Sequence, residues 1–209
     1  MIFSLNKFKN IIFDLGGVII NIDLSLTMTA FEELGIKDVP KLFSTTLQQQ
    51  LFDFQEKGTI TSAQFRDEIR KFSTVHLLDS QIDEAWNALL LDLPKARLEL
   101  LEKVKRSHRT FLLSNTNEIH IQTIQRYLNN EYGISDLSSF FEKTYLSYQL
   151  GMRKPDAEIF KLVLDENKLN PSETLFIDDS KQHILAAEKL GIQTYWLDLS
   201  KENLLDLFE

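Results

Sequence analysis

Short apolar runs that end on polar residues, set between segments of helical periodicity, limit the folds open to this chain more than any other feature. Asn10 to Leu15 (NIIFDL) is rich in β-formers and is closed by Gly16-Gly17, so it reads as a buried strand with Asp14 at its end. Similar runs recur at Thr110–Ser114, Lys143–Leu146, Thr174–Asp178 and Ile192–Leu197. Helical patterns lie between the last four. Asn117 to Asn130 puts Ile121, Ile124 and Leu128 on one face. Pro155 to Glu166 does the same with Ile159, Leu162 and Val163, and Pro155 and Asp156 suit its first turn. Ser180 to Leu190 is the third, stopped by Gly191. Strands alternating with helices predict an α/β fold: a Rossmann-like, mainly parallel sheet with helices on both faces.

From about Ser25 to Leu93 the alternation breaks, and no convincing strand is visible. Four helices are expected there: one ending at Gly35, one across Lys41–Lys57, one opening at Thr61 and one across Asp79–Leu90. Thr61 with Gln64 resembles a capping box, and Gly58 marks a turn. The chain then returns through Pro94 into a helix over Lys95–Arg106. The predicted division is a core of residues 1–20 and 94–209 and an all-helical unit of residues 21–93 inserted after the first strand.

Charge and composition exclude several classes of function. The net charge of −8 argues against a nucleic-acid partner, because phosphate backbones are held by clustered Lys and Arg. The densest basic stretch, Lys103 to Arg109, falls where cations suit the negative end of a helix dipole. The absence of cysteine removes disulfides, thiolate catalysis and zinc–thiolate sites together. Residues 1–9 lack the apolar core of a signal peptide, and no apolar run approaches the roughly 20 residues that cross a bilayer. A soluble, cytoplasmic protein without a nucleic-acid or membrane partner is expected. The sequence assigns no oligomeric state.

In open parallel sheets, ligands sit beyond the carboxyl ends of the strands. Those ends carry Asp14, Ser114-Asn115 and Asp178-Asp179. Taken alone, Asp14 before two glycines reads as a turn residue, and Ser114 to Asn117 reads as a helix cap that can also bind an anion. Lys154 taken alone is a solvated lysine before a helix. Capping explains one of the paired aspartates and leaves its neighbour costly to desolvate without a cation. Asp14, Asp178 and Asp179 together offer only oxygen, which selects a hard ion such as Mg²⁺ over zinc.

In that order these residues resemble the motifs of the haloacid dehalogenase-like hydrolase superfamily: Asp14 in FDLGGV, Ser114 in LLSNTN, Lys154 in RKPD and Asp178-Asp179 in FIDDS. The inserted helices match the family's cap, and the closest likeness is to the small-cap branch that includes phosphatases of sugar phosphates such as glucose 1-phosphate. The resemblance implies a phosphatase of a small-molecule phosphate ester, with Asp14 as nucleophile forming an aspartyl-phosphate. It implies Mg²⁺ held by Asp14, the Gly16 carbonyl and Asp179, with Asp178 nearby, acting through water or orienting Lys154. Ser114 and the Asn115 backbone N–H would bind phosphoryl oxygens, and Lys154 would offset negative charge. Two positions depart from the family. Gly16 stands where family phosphatases carry an acid–base Asp, for which Asp23 or a water is a candidate substitute. His183 stands where Asp or Asn is common, and is expected to be structural. Gly16 leaves two alternatives open: a metal-free 2-haloacid dehalogenase, and a non-catalytic protein that binds phosphate and metal. Phe52, Phe54, Phe65 and Trp86 are expected to pack the inserted helices rather than line a cleft.

Overall fold

The computed structural model describes residues 7–37, 39 and 46–208. The opening of the helix expected from Lys41 and the first residues of the chain lie outside the described residues. Among the described residues β1 (Asn10–Phe13) comes first, followed by α1 (Leu24–Glu33), α2 (Thr46–Glu56), α3 (Ser62–Arg70) and α4 (Asp79–Asn87). The chain continues through α5 (Lys95–Lys105), β2 (Arg109–Ser114), α6 (Glu118–Tyr132), β3 (Lys143–Leu146) and the single turn α7 (Ser147–Leu150). The last elements are α8 (Ala157–Asn167), β4 (Thr174–Asp178), α9 (Lys181–Glu188) and β5 (Gln193–Trp196).

The five strands pair in the order β3-β2-β1-β4-β5, every pair parallel. Successive side chains of a strand point to opposite faces, and here both faces are covered. Ile11, Phe13, Leu112, Leu175 and Ile177 pack with Leu98 and Leu101 of α5 and Ile124 and Leu128 of α6. Ile12, Phe111, Leu113 and Phe176 pack with Ile159 and Val163 of α8 and Ala187 of α9. Apolar residues at consecutive positions therefore follow from a sheet sandwiched between helix layers. Each fully buried Leu, Ile or Phe contributes about 1.5–3 kcal/mol.

The inserted helices have an interior of their own, with Phe31, Phe65, Ile69, Ile82 and Trp86 buried and Phe52 packed against them. Phe52 stacks on Trp86 at 5.1 Å between ring centroids. Phe54, by contrast, is exposed. Among the described residues this segment holds no strand, only the isolated bridges Ile22–Leu90 and Ile36–Ser73. The expected capping box is present: Thr61 Oγ1 accepts from the Gln64 N–H and Gln64 Oε1 from the Thr61 N–H.

Helix ends differ from expectation where tertiary contacts compete. Helix α8 starts at Ala157, and Asp156, expected inside its first turn, occupies the N-cap position without capping. Its carboxylate instead accepts from Lys57 Nζ at 2.9 Å, tying the insertion to the sheet layer. The same seam is joined by Ser62 Oγ donating to Glu118 at 2.6 Å and by Arg153 paired with Asp53 and Glu56. Gly58, at φ +62°, lies so close to the Tyr148 carbonyl that any Cβ would collide with backbone. On the other side of the insertion, His120 of α6 stacks on Trp86 at 4.8 Å.

Candidate active site

Register places the predicted residues. Phe13 pairs with Leu112 on one side and Ile177 on the other, so Asp14 leaves the sheet level with Leu113 and Asp178. The Asp14 N–H donates to the Ile177 carbonyl at 3.0 Å, which fixes its backbone. Between these strand ends lies Lys154, fully buried, its Nζ donating to Asp14 Oδ1 at 2.7 Å, Asp178 Oδ2 at 2.7 Å and the Leu113 carbonyl at 2.9 Å. The ammonium's three protons thus meet three oxygens. A solvated lysine is excluded.

Lys154 is held there by Asn115, whose Nδ2 donates to the Lys154 carbonyl at 2.8 Å and whose Oδ1 accepts from its N–H at 2.9 Å. Asn115 was expected to act through its backbone alone, and this two-way clasp is an additional duty. The loop after β2 is fixed as well: Ser147 Oγ accepts from the Thr116 N–H and donates to the Thr116 carbonyl, while Asn117 Oδ1 caps α6 through the His120 N–H. Ser114 is buried beside this loop, its hydroxyl engaged only by a long 3.4 Å contact to the Asn115 carbonyl.

Asp178 is fully buried. Besides Lys154, its carboxylate accepts from the Ser180 N–H at 2.7 Å and from His183 Nδ1 at 3.0 and 3.1 Å. His183 therefore touches the site that sequence reasoning left it out of. An ionised carboxylate can only accept, so Nδ1 carries the proton in this pair. Burial raises the Asp178 carboxyl, but Lys154 and His183 outweigh it and hold the group below its usual range. Burial also acts on Asp14, where Lys154 opposes it and Asp178 and Asp179 reinforce it, lifting that carboxyl to about 7. Asp179 is raised by burial and by Asp178. For Lys154, burial favours the neutral form, yet Asp14 and Asp178 prevail and its pKa rises.

The three carboxylates together could hold a cation. Asp14, Asp178 and Asp179 each offer an oxygen within 4.8 Å of the others. Three carboxylates against one ammonium leave two negative charges, which match a divalent ion, and all-oxygen donors suit a hard one. Gly17 belongs to the same cradle: at φ +77°, a Cβ there would stand 2.5 Å from Asp179 Oδ2. The donor set fits Mg²⁺. With both its oxygens already hydrogen-bonded, Asp178 is better placed to orient Lys154 than to bind an ion directly.

Position 16 offers no acid. A Cβ on Gly16 would stand 3.2 Å from Ile22 Cδ1, a tight contact with the end of an exposed side chain. Asp23 is not the substitute, because it is exposed and caps α1 through Ser25, whose hydrogen bonds hold its carboxyl below the usual range.

Sequence reasoning also missed the polar groups of the seam. Gln55 is 3% exposed with neither amide atom partnered, and Glu56 Oε2 and Arg153 Nε are likewise buried without hydrogen-bond partners. Beside them a cavity of about 500 Å³ is walled by Phe52, Asp53, Glu56, Lys57, Arg153 and Asp156. The only signals in the sequence were the turn at Gly58, just after Gln55-Glu56, and the Arg that precedes Lys154.

Known proteins agree with this architecture. The haloacid dehalogenase-like hydrolase family matches residues 8–191. D-ribitol-5-phosphate phosphatase of Bacteroides thetaiotaomicron is 32% identical over 187 residues, 90% of each chain. Glyceraldehyde 3-phosphate phosphatase of Pyrococcus furiosus is 25% identical over 219 residues, covering 97% of this chain and 86% of its own. The HAD family enzyme BT-2542 of Bacteroides thetaiotaomicron, solved with magnesium and inorganic phosphate, superposes with a TM-score of 0.87 at 40% identity, covering 97% of this chain and 100% of the other. With its four motifs gathered at one sheet edge, the chain belongs to the haloacid dehalogenase-like hydrolases.

Proposed function

We propose that the protein is a Mg²⁺-dependent phosphatase of a small phosphorylated sugar or polyol, working through an aspartyl-phosphate on Asp14. The observation that carries this reading is the junction of Asp14, Lys154 and Asp178, with 2.7 Å from the buried ammonium to each carboxylate and Asp179 beside them. Lys154 holds Asp14 Oδ1 and leaves the other oxygen to attack phosphorus in line. The Ser114 hydroxyl and the Asn115 N–H receive the phosphoryl oxygens. Asp178, tied by Ser180 and His183, keeps Lys154 aimed at the nucleophile. Mg²⁺, bound by Asp14, the Gly16 carbonyl and Asp179, supplies the positive charge that lets a carboxylate approach a phosphate dianion.

The core of residues 1–20 and 94–209 carries this chemistry, and residues 21–93 act as a cap over it. Two relatives support a hydroxylated substrate over an apolar one. The named substrates of the relatives, ribitol 5-phosphate and glyceraldehyde 3-phosphate, are of that kind. A hexose 1-phosphate fits the same description.

The test is a panel of sugar and polyol phosphates with Mg²⁺, then with EDTA, beside the Asp14→Asn variant. Turnover that needs the metal and vanishes in Asp14→Asn is expected. Near wild-type turnover by Asp14→Asn refutes the nucleophile, and halide release from 2-haloacids indifferent to EDTA replaces the phosphatase with a dehalogenase.

A further inference from the structure

We infer, on the phosphatase reading above, that Trp196 is a positioning residue of the metal centre. Its indole N–H fixes the backbone of Asp179 and so aims the carboxylate that binds Mg²⁺.

The end of the sheet shows why Asp179 needs such a tie. Asp178 lies opposite Trp196 in the parallel ladder, and the Leu197 N–H donates to the Asp178 carbonyl at 3.0 Å. Strand β4 ends at that residue. Asp179 is the first position beyond it, where the ladder no longer holds the backbone. The Trp196 side chain takes over, and its Nε1 donates to the Asp179 carbonyl at 2.8 Å. The last residue of β5 thus carries the grip of the sheet one position further, onto a carboxylate that faces the ion.

Other contacts keep the indole in place. Lys181, the first residue of α9, sets its Nζ 4.0 Å from the centroid of the Trp196 ring. A cation at that end of a helix opposes the dipole, and the indole face compensates it. Trp196 also packs against the apolar layer that contains Ile159 and Ala187. On the carboxylate side, a Cβ on Gly17 would stand 2.5 Å from Asp179 Oδ2 and 3.0 Å from Leu199 Cδ1. Asp179 is therefore held through its carbonyl by β5 and bounded at its carboxylate by the loop after β1.

Trp86 supplies the contrast. It is the other of the two tryptophans, and its Nε1 is buried without a hydrogen-bond partner. Trp196 is only half-buried, so its N–H could be satisfied by water, yet it is given to Asp179. Mg²⁺ demands near-octahedral geometry, and groups that orient a ligand from behind change metal affinity by about 10- to 100-fold.

The experiment titrates Mg²⁺ into wild type and Trp196→Phe by calorimetry, and into ¹⁵N-indole-labelled wild type by NMR. Phenylalanine keeps an aromatic ring beneath Lys181 and removes the donor. The Mg²⁺ dissociation constant of Trp196→Phe should rise about tenfold. Of the two indole N–H signals, the one absent from Trp196→Phe should move along the calorimetric isotherm, while that of Trp86 stays in place. Should the phenylalanine variant fail to fold, benzothienylalanine at position 196, with sulfur in place of the N–H, should show the same loss of affinity. A folded variant whose Mg²⁺ constant lies within about twofold of wild type overturns the inference, even if it melts earlier in EDTA, because a purely structural indole would leave metal affinity unchanged. A Trp196 signal indifferent to saturating Mg²⁺ overturns it equally. A wild type that binds no Mg²⁺ and leaves D-ribitol 5-phosphate and p-nitrophenyl phosphate intact sinks the phosphatase reading instead.

Discussion

At the scale of single residues, Lys154 does most to define the site. A buried cation with two carboxylate partners is strongly destabilising to break, because the partners are left charged and dry. Lys154→Met is expected to cost about 3–5 kcal/mol and lower the melting temperature by ~10 °C, measured by thermal denaturation of metal-free protein. Gly17→Ala is expected to weaken Mg²⁺ binding rather than folding alone, since the new methyl meets Asp179 Oδ2; calorimetric titration of Mg²⁺ reads this directly. Asp14, Ser114, Asp178 and Asp179 were legible because a parallel sheet makes strand ends the place for chemistry, whereas Lys154, solvated on its local reading, was legible only through the family resemblance. His183 was not legible, because four residues after Asp179 a lone histidine looks like any other helix residue. Its contact with Asp178 exists only once α9 packs against β4. Glu56 was hidden for the same reason: nothing within its own helix distinguishes it from a solvated glutamate.

At the scale of elements, strands were read to within a residue or two because their apolar runs are continuous and end abruptly. Helix starts were read to the same margin, the largest difference being at α8. Pro155 and Asp156 have the chemistry of a first turn, yet Lys57 captures the Asp156 carboxylate and the helix opens later. Where no long-range partner competes, local chemistry decides, as at Thr61. Thr61→Ala removes the hydroxyl that accepts from Gln64 and is expected to destabilise α3 by about 1 kcal/mol, a shift visible in the urea midpoint. Of the aromatic residues of the insertion assigned to packing from their helical spacing, Phe65 and Trp86 lie inside, Phe52 packs against them and also walls the seam cavity, and Phe54 is exposed. Which polar side chains would face the sheet depends on how two layers dock, and spacing within one helix carries no record of that.

At the scale of the whole molecule, the seam between insertion and sheet layer ties stability to pH. Glu56 is raised from 4.5 to about 7, so the native state binds more protons than the unfolded chain between those values. Its contribution to stability is therefore lost as pH rises from about 4.5 to about 7, and is constant above. Glu56→Gln lacks this slope. In EDTA its melting temperature is expected to gain on the wild type between pH 5 and pH 8, with Asp14 common to both proteins. The buried lysine has a consequence of another kind. Because Lys154 offsets one of the three negative charges among the aspartates, the polypeptide can complete its fold before any ion arrives. Circular dichroism in EDTA should match that in Mg²⁺. The protein would then exist as a finished receptacle waiting for its metal, its output governed by the local supply of divalent ions rather than by renewed synthesis.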